Sequence, residues 1–467
     1  MGRSILLAGT AVLALALAPE ARACSLSALT LTCVGANGPQ ASALSDLTVT
    51  IETGASVTKP NETPNAPALL LSGDRVRVDN AGTILAERTT GDNANAGIQG
   101  TGSNLTVVNA GAITSASRGI HITGGTGGFT LTNEAGATIT AVRQAVRTLN
   151  ALALPNSTVT NHGTITSTGD RAIQLRGPGA RVFNYGDLFG GDEVIEARQG
   201  FTLYNEGTIV AAPTTTDADG VQFASGTVVN HGLISGTDDG IDVDEGSIFN
   251  GATGIIRARM GGAGSGIDID PFYEPTDPAD NRRSGDLSIV NEGLIEGPRA
   301  IGSDDHAQNR ITVTNRGTLM GGTGTAIAFA PLQGDSSVTN EMNGIIIGDV
   351  IFGAGNDVFG LAALGMNAAI RGVIDGGAGL DTVRLDYSLA DILGFDVTGN
   401  RVDLLLALTP RQTFDATFLN FEAWSVGGID YTTAELRAAL APVPLPAGLP
   451  LMALGLGGLA LLRRRRG

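Results

Sequence analysis

The sequence predicts an all-β chain wound as a single-stranded parallel β-helix, a solenoid of about 11 or more coils. Three observations predict it. The phrase Asn-x-Gly-x-Ile/Leu recurs from Asn80, Asn109, Asn161, Asn184, Asn205, Asn230, Asn291 and Asn315, with looser copies from Asn133, Asn250 and Asn340. Each copy sits among three short alternating runs rich in Val, Ile and Thr, the signature of half-buried strands. No helix-length amphipathic segment separates the copies. Successive Asn residues are 20 to 29 apart, with one interval of 41. A propeller blade needs four strands and roughly 40 residues, too long for nine of the ten intervals.

Within a repeat, the first strand precedes the Asn, as in Val76-Arg77-Val78-Asp79 and Ile311-Thr312-Val313-Thr314. The second follows the Gly, which is expected to supply a positive φ at the corner. The third begins with Gly or Ala and Ile, as in Gly119-Ile120-His121-Ile122, Gly240-Ile241-Asp242-Val243 and Gly266-Ile267-Asp268-Ile269. Stacking such units pairs each strand with its counterpart one coil away, fills the lumen with Ile and Val, and lines the Asn amides into a ladder. Eleven coils at ~4.8 Å span about 50 Å. The winding is expected to be right-handed.

Length and charge agree. A chain of 467 residues exceeds a usual single core, but solenoids grow by adding coils. The 67 glycines and few aromatics suit tight corners and a narrow lumen. A net charge of −17 argues against nucleic acid as a partner and keeps a long β-rod soluble.

Residues 1–23 read as a secretory signal: Arg3, an apolar run from Ile5 to Ala18, and Ala21-Arg22-Ala23 as the cleavage site. Arg22 stands where a lipoprotein signal needs a small residue, so Cys24 is not read as a lipid anchor. Cys24 and Cys33 are the only cysteines, and one disulfide is expected within an N-terminal cap over 24–67. The repeats proper are expected over 68–350, with an insertion loop from Pro271 to Asp286.

From 351 to 440 the pattern changes to terminal coils and a cap. Gly353-Ala354-Gly355-Asn356-Asp357-Val358-Phe359 and Asp375-Gly376-Gly377-Ala378-Gly379-Leu380-Asp381-Thr382-Val383 resemble the calcium-binding nonapeptide of RTX proteins. The resemblance implies Ca²⁺ at Asp357 and Asp381; a plain Gly/Asp corner is the alternative. The same stretch, with Asn420-Phe421-Glu422 near Trp424, is similar to the closing coils of autotransporter passenger domains, β-helical surface proteins of Gram-negative bacteria. The roughly 40 residues that follow are too few for a translocator barrel.

Instead, 441–467 holds Val443-Pro444-Leu445-Pro446-Ala447, an apolar run to Leu462, and Arg463 to Arg466. This resembles the C-terminal sorting signals of the VPLPA variety, related to PEP-CTERM signals, that exosortases read. It implies export, transient anchoring in the inner membrane by a transmembrane segment, processing by an exosortase-like enzyme, and a destination at the cell surface or outside it, often alongside exopolysaccharide.

Aligned by their Gly/Ala-Ile starts, the third strands put one outward column through Gln99, His121, Arg147, Gln174, Glu196, Gln222, Asp242 and Asp268. Asp244, Asp270 and Asp304 occupy the next outward place. Asp242, Asp244, Asp268 and Asp270 would crowd together on adjacent coils, so they must shift pKa or bind a cation such as Ca²⁺; a solvated acidic face is the plain alternative. Arg282, Arg283 and Arg299 are the nearest bases. The four His residues show no metal spacing, and no catalytic triad or phosphate loop is evident. The expectation is non-enzymatic adhesion or polysaccharide and matrix association. The alternative is a β-helical polysaccharide lyase or hydrolase at the Asp242–Asp270 patch.

Overall fold

The computed structural model describes residues 24–61, 66–87, 95–149, 154–213, 217–269, 285–303, 310–332, 334–409 and 411–441. The expected signal segment 1–23, the sorting motif Val443 to Ala447 with the rest of 442–467, and Asp270, Arg282, Arg283, Asp304 and His306 lie outside them.

Over the described residues the chain is an all-β parallel solenoid with one short α-helix, Thr433–Leu440. Strand follows strand in the predicted threefold order. Thr106–Asn109, Ala112–Ser115 and Arg118–Ile122 form one coil, and each pairs in parallel with its equivalent one coil on: Thr130–Asn133, Thr138–Ala141 and Val146–Thr148. The first-strand stack runs from Thr30–Cys33 to Ala423–Val426. Inward residues along it, from Leu31 through Val107, Val159, Val228 and Val313 to Trp424, are buried, and the second and third strands supply matching Ile and Val columns. A period of two with one face in the lumen fixes the register, because a slip by one residue would turn the whole aliphatic set outward.

The Asn residues stack as expected. Eleven of them, Asn80 to Asn340, stand in successive coils, and each amide nitrogen donates to the amide oxygen of the next at 2.7–2.9 Å. The same nitrogens also donate to corner carbonyls; Asn161, for example, reaches Gly163 O and Asp187 O. The ladder satisfies backbone acceptors that the corner would otherwise bury unpaired.

The reason for the Gly differs from the expectation. Gly82, Gly111, Gly186 and Gly207 are not in the positive-φ region. A Cβ at Gly111 would stand 2.0 Å from Gly82 O, and one at Gly207 would stand 2.0 Å from Gly186 O. Close approach of one coil to the next, not a left-handed conformation, demands glycine there.

The two ends are finished differently. At the amino end, Cys24 and Cys33 form a disulfide with Cα atoms 4.2 Å apart, and Ser25–Ser27 folds back antiparallel on Thr30–Cys33. At the carboxyl end, Ile392–Thr398, Arg401–Thr409 and Gln412–Leu419 form an antiparallel meander that joins the stack through Val373–Asp375. Phe395 and Phe418 pack on Trp424 with ring centroids 4.8 and 5.4 Å away, Phe418 meets Phe421 at 5.7 Å, and the short helix, packed on the strands that carry Phe395 and Trp424, buries Leu436. Among the described residues, no helix is long and apolar enough to cross a membrane.

Candidate functional site

The predicted polar column exists in the predicted register. Gln99 pairs with His121, His121 with Arg147, and so on through Gln174, Glu196, Gln222 and Asp242 to Asp268. Its environment differs from a solvated face. His121, Gln174, Glu196 and Asp268 are buried, and Arg147, Gln222 and Asp242 are half-buried. The column is sorted by charge: basic groups occupy its amino-terminal half and acids its carboxyl-terminal half.

Where the halves meet, Arg171 gathers four carboxylates. Its guanidinium lies 3.1 Å from Asp170, 3.1 Å from Asp192, 2.6 Å from Glu193 and 2.5 Å from Glu196, while Arg176 reaches Glu196 at 2.9 Å. Gln174 also donates to Glu196 at 2.5 Å. Burial pushes Glu193 up to about 7 against the pull of Arg171. Burial, and next Arg176, lowers Arg147 from the usual guanidinium range.

One corner upstream of the column lies a group that the sequence alignment missed. Asp219, Asp238 and Asp239 place carboxylate oxygens within 4.8 Å of one another. Asp219 and Asp239 each stand immediately before the Gly that opens the third strand, on neighbouring coils joined by the hydrogen bond from Gly220 N to Asp239 O. Burial, then the charge of Asp242, pushes Asp219 up to about 8. Burial, then Asp268 and Asp219, raises Asp239 further still. Asp242 rises to about 6 by burial, held back by the hydrogen bond from Gln222 at 2.8 Å. Asp268 accepts from Ser265 Oγ at 3.1 Å and lies 3.7 Å from the Arg299 guanidinium. Thus Asp242 and Asp268 come together as expected, Arg299 joins them, and Asp244 sits half-buried on the same strand as Asp242. The cluster can share protons at neutral pH or take a hard divalent cation. The missed signal was available: Glu193-Val194-Ile195, Asp219-Gly220-Val221 and Asp239-Gly240-Ile241 repeat an acid two places before the core residue.

Asp357 and Asp381 also lie on neighbouring coils. Asp357 Oδ1 accepts from Ser336 N at 2.6 Å, Asp381 Oδ1 accepts from Asp357 N at 2.8 Å, and Glu422 accepts from Asp381 N at 2.9 Å. These carboxylates bind the backbone of the preceding coil. The second oxygens of Asp357 and Asp381 are buried without a hydrogen-bond partner, and burial pushes Asp357 up to about 7 and Asp381 to about 6.

A second strip was not foreseen. Around the Asn corner, side chains from consecutive coils form a ring ladder on the outside of the rod. His162 stacks on Tyr185 at 4.8 Å, followed by Tyr185–Tyr204 at 5.9 Å, Tyr204–His231 at 5.9 Å and His231–Phe249 at 5.8 Å. Tyr185 and Phe189 are exposed, and the Tyr204 hydroxyl donates to Glu206. Phe183 pairs with Tyr204 in the same strand stack and is half-buried beside them.

Comparison of the chain with family models, with curated proteins and with solved structures finds no match.

Proposed function

We propose that this chain is an exported, non-enzymatic rod of the cell surface or extracellular matrix that holds a linear, neutral polysaccharide along its aromatic strip. The observation that carries the reading is the unbroken ring ladder from His162 to Phe249. Exposed apolar area gathered in one patch marks a contact site, whereas scattered apolar residues do not. Aromatic rings present an apolar face to the C–H face of a pyranose, and Tyr and His edges offer hydrogen bonds to its hydroxyls. The ladder repeats with the coil, at ~4.8 Å, close to the length of one sugar along an extended chain. A net charge of −17 disfavours polyanions and leaves neutral chains as the fitting class.

Export rests on the terminal segments: the signal-like 1–23 and the Val443 to Ala447 sorting motif with its apolar run and Arg463 to Arg466. The partners of that route are an exosortase-like processing enzyme and, transiently, the inner membrane. Right-handed winding belongs to the same reading, since parallel β crossovers take that hand in the great majority of folds. Mass spectrometry of the exported protein is expected to give a chain that begins at Cys24 and lacks Arg463 to Arg466. Retention of those arginines would contradict the sorting reading. For the strip, affinity electrophoresis against a panel of neutral and acidic polysaccharides should show retardation by a neutral member. The Tyr185→Ala/Tyr204→Ala variant should lose it by tenfold or more at unchanged thermal stability. Equal retardation of the variant would overturn the assignment.

A second reading is favoured by the buried carboxylates. Asp219 and Asp239, strongly raised by burial, near the Asp268–Arg299 pair fit a cation-dependent polysaccharide lyase or hydrolase. Its test is turnover of acidic polysaccharides with and without Ca²⁺, and its loss in Asp242→Asn/Asp268→Asn with folding intact. No turnover on any member of the panel leaves the binding rod.

A further inference from the structure

Among the described residues, the amino-terminal end of the rod is an open surface. Its terminal strands are paired on one side only: Ala36–Asn37 pairs with Ser56–Lys59 and Gln40–Ser42 with Leu69–Leu71. No other strand among the described residues takes their outer edges, and the hairpin strand Ser25–Ser27 has a free outer edge as well. Around these edges lie Leu26, Leu29, Val34 and Leu44, exposed by 56, 46, 44 and 41%. No residue from Cys24 to Ser45 carries a side-chain charge, in a chain whose net charge is −17. Exposed edges are normally blunted by charge, proline or a covering element. The carboxyl end follows that rule, with its antiparallel meander and helix. Among the described residues, the amino end has one proline, Pro39, and one disulfide, and nothing covers its backbone edges or its leucines.

We propose that this end docks on the same end of a second copy, giving a closed head-to-head dimer. The side walls are acidic and repel one another, whereas the end face carries no like charge except the amino terminus that processing would create. Among the described residues the other end is covered by the meander and helix and offers no complementary surface for head-to-tail growth. A two-fold axis across the end lets identical edges meet antiparallel, each strand donating to and accepting from its counterpart, with the leucines buried between. A partner of different sequence would need both a matching edge and an apolar, uncharged face; a second copy has both by symmetry. The rival occupant is residues 1–23 of the same chain.

The test is sedimentation equilibrium of the exported chain, its amino terminus defined by mass spectrometry, with small-angle X-ray scattering for length. The expected result is a concentration-dependent dimer about twice as long as the protomer. Leu29→Asp/Leu44→Asp should be monomeric over the same range with an unchanged far-UV spectrum and melting curve, while Leu393→Asp at the far end should dimerise as before. A mature chain that is monomeric throughout, a dimer that persists in Leu29→Asp/Leu44→Asp, a dimer no longer than the protomer, or a monomer still carrying residues 1–23 would overturn the proposal. None of these outcomes bears on the aromatic strip, which lies on the side of the rod.

Discussion

At the scale of single residues, the Asn amides and the buried carboxylates do opposite things with the same kind of site. Asn161 sits mid-ladder, accepting from Asn133 at 2.9 Å and donating to Asn184 at 2.9 Å as well as to two carbonyls. Asn161→Ala leaves buried donors and acceptors unpaired on both sides, at a cost of about 2–4 kcal/mol. Asn161→Asp should cost more at neutral pH, because a carboxylate there faces three oxygens, and it should recover toward the alanine variant as pH falls. Denaturant unfolding at pH 5 and pH 8 measures both. The carboxylates show the reverse economy. Asp219 has its pKa raised in the folded chain from 3.8 to about 8, so the folded state binds more protons than the unfolded one across that window. Stability therefore falls as pH rises from about 4 to about 8. Asp219→Asn/Asp239→Asn should raise the melting temperature at pH 7.5 and flatten its dependence on pH. If the trio takes a cation, millimolar Ca²⁺ should raise the melting temperature of the unaltered protein at pH 7.5 and leave the double variant unmoved. A melting temperature that rises with pH would contradict the burial argument.

At the scale of the repeat, legibility followed geometry. The third-strand column could be written from sequence because it is a single register position, and every neighbour pair from Gln99 to Asp268 is the one the Gly/Ala-Ile alignment implies. Asp219, Asp238 and Asp239 escaped because they lie on the corner before the strand, where period-two alternation gives no direction to a side chain. The ring ladder escaped for a different reason. Tyr185 follows its Asn and Tyr204 precedes its Asn, so no column of the alignment contains both. Only the turn of the backbone at the corner interleaves them. The Gly of the repeat was legible in identity and misread in cause, and the difference is testable. A residue needed for positive φ tolerates Asn better than Ala, whereas one needed for close approach tolerates neither. Gly207→Ala and Gly207→Asn should both destabilise by about 1–3 kcal/mol or more, because any Cβ meets Gly186 O at 2.0 Å. A mild Gly207→Asn would restore the conformational explanation.

At the scale of the whole molecule, a solenoid is close to one-dimensional: each coil touches only its neighbours, so a local loss should stay local. The disulfide tests this. Cys24–Cys33 closes a loop with a sequence separation of 9, confined to the first coil, and Cys33 is fully buried under the hairpin. Opening it removes a constraint on the unfolded chain of about 2–3 kcal/mol. In a globular core that loss would lower the stability of the entire domain. Here it should fray the first coil alone. Hydrogen exchange after reduction is expected to speed up at amides from Ser25 to Leu47 and to leave the ladder between Asn161 and Asn250 as protected as before. A uniform loss of protection along the rod would mean that the coils unfold as one cooperative unit, and that the carboxyl-terminal aromatic plug and the amino-terminal hairpin share their stabilisation through every rung between them.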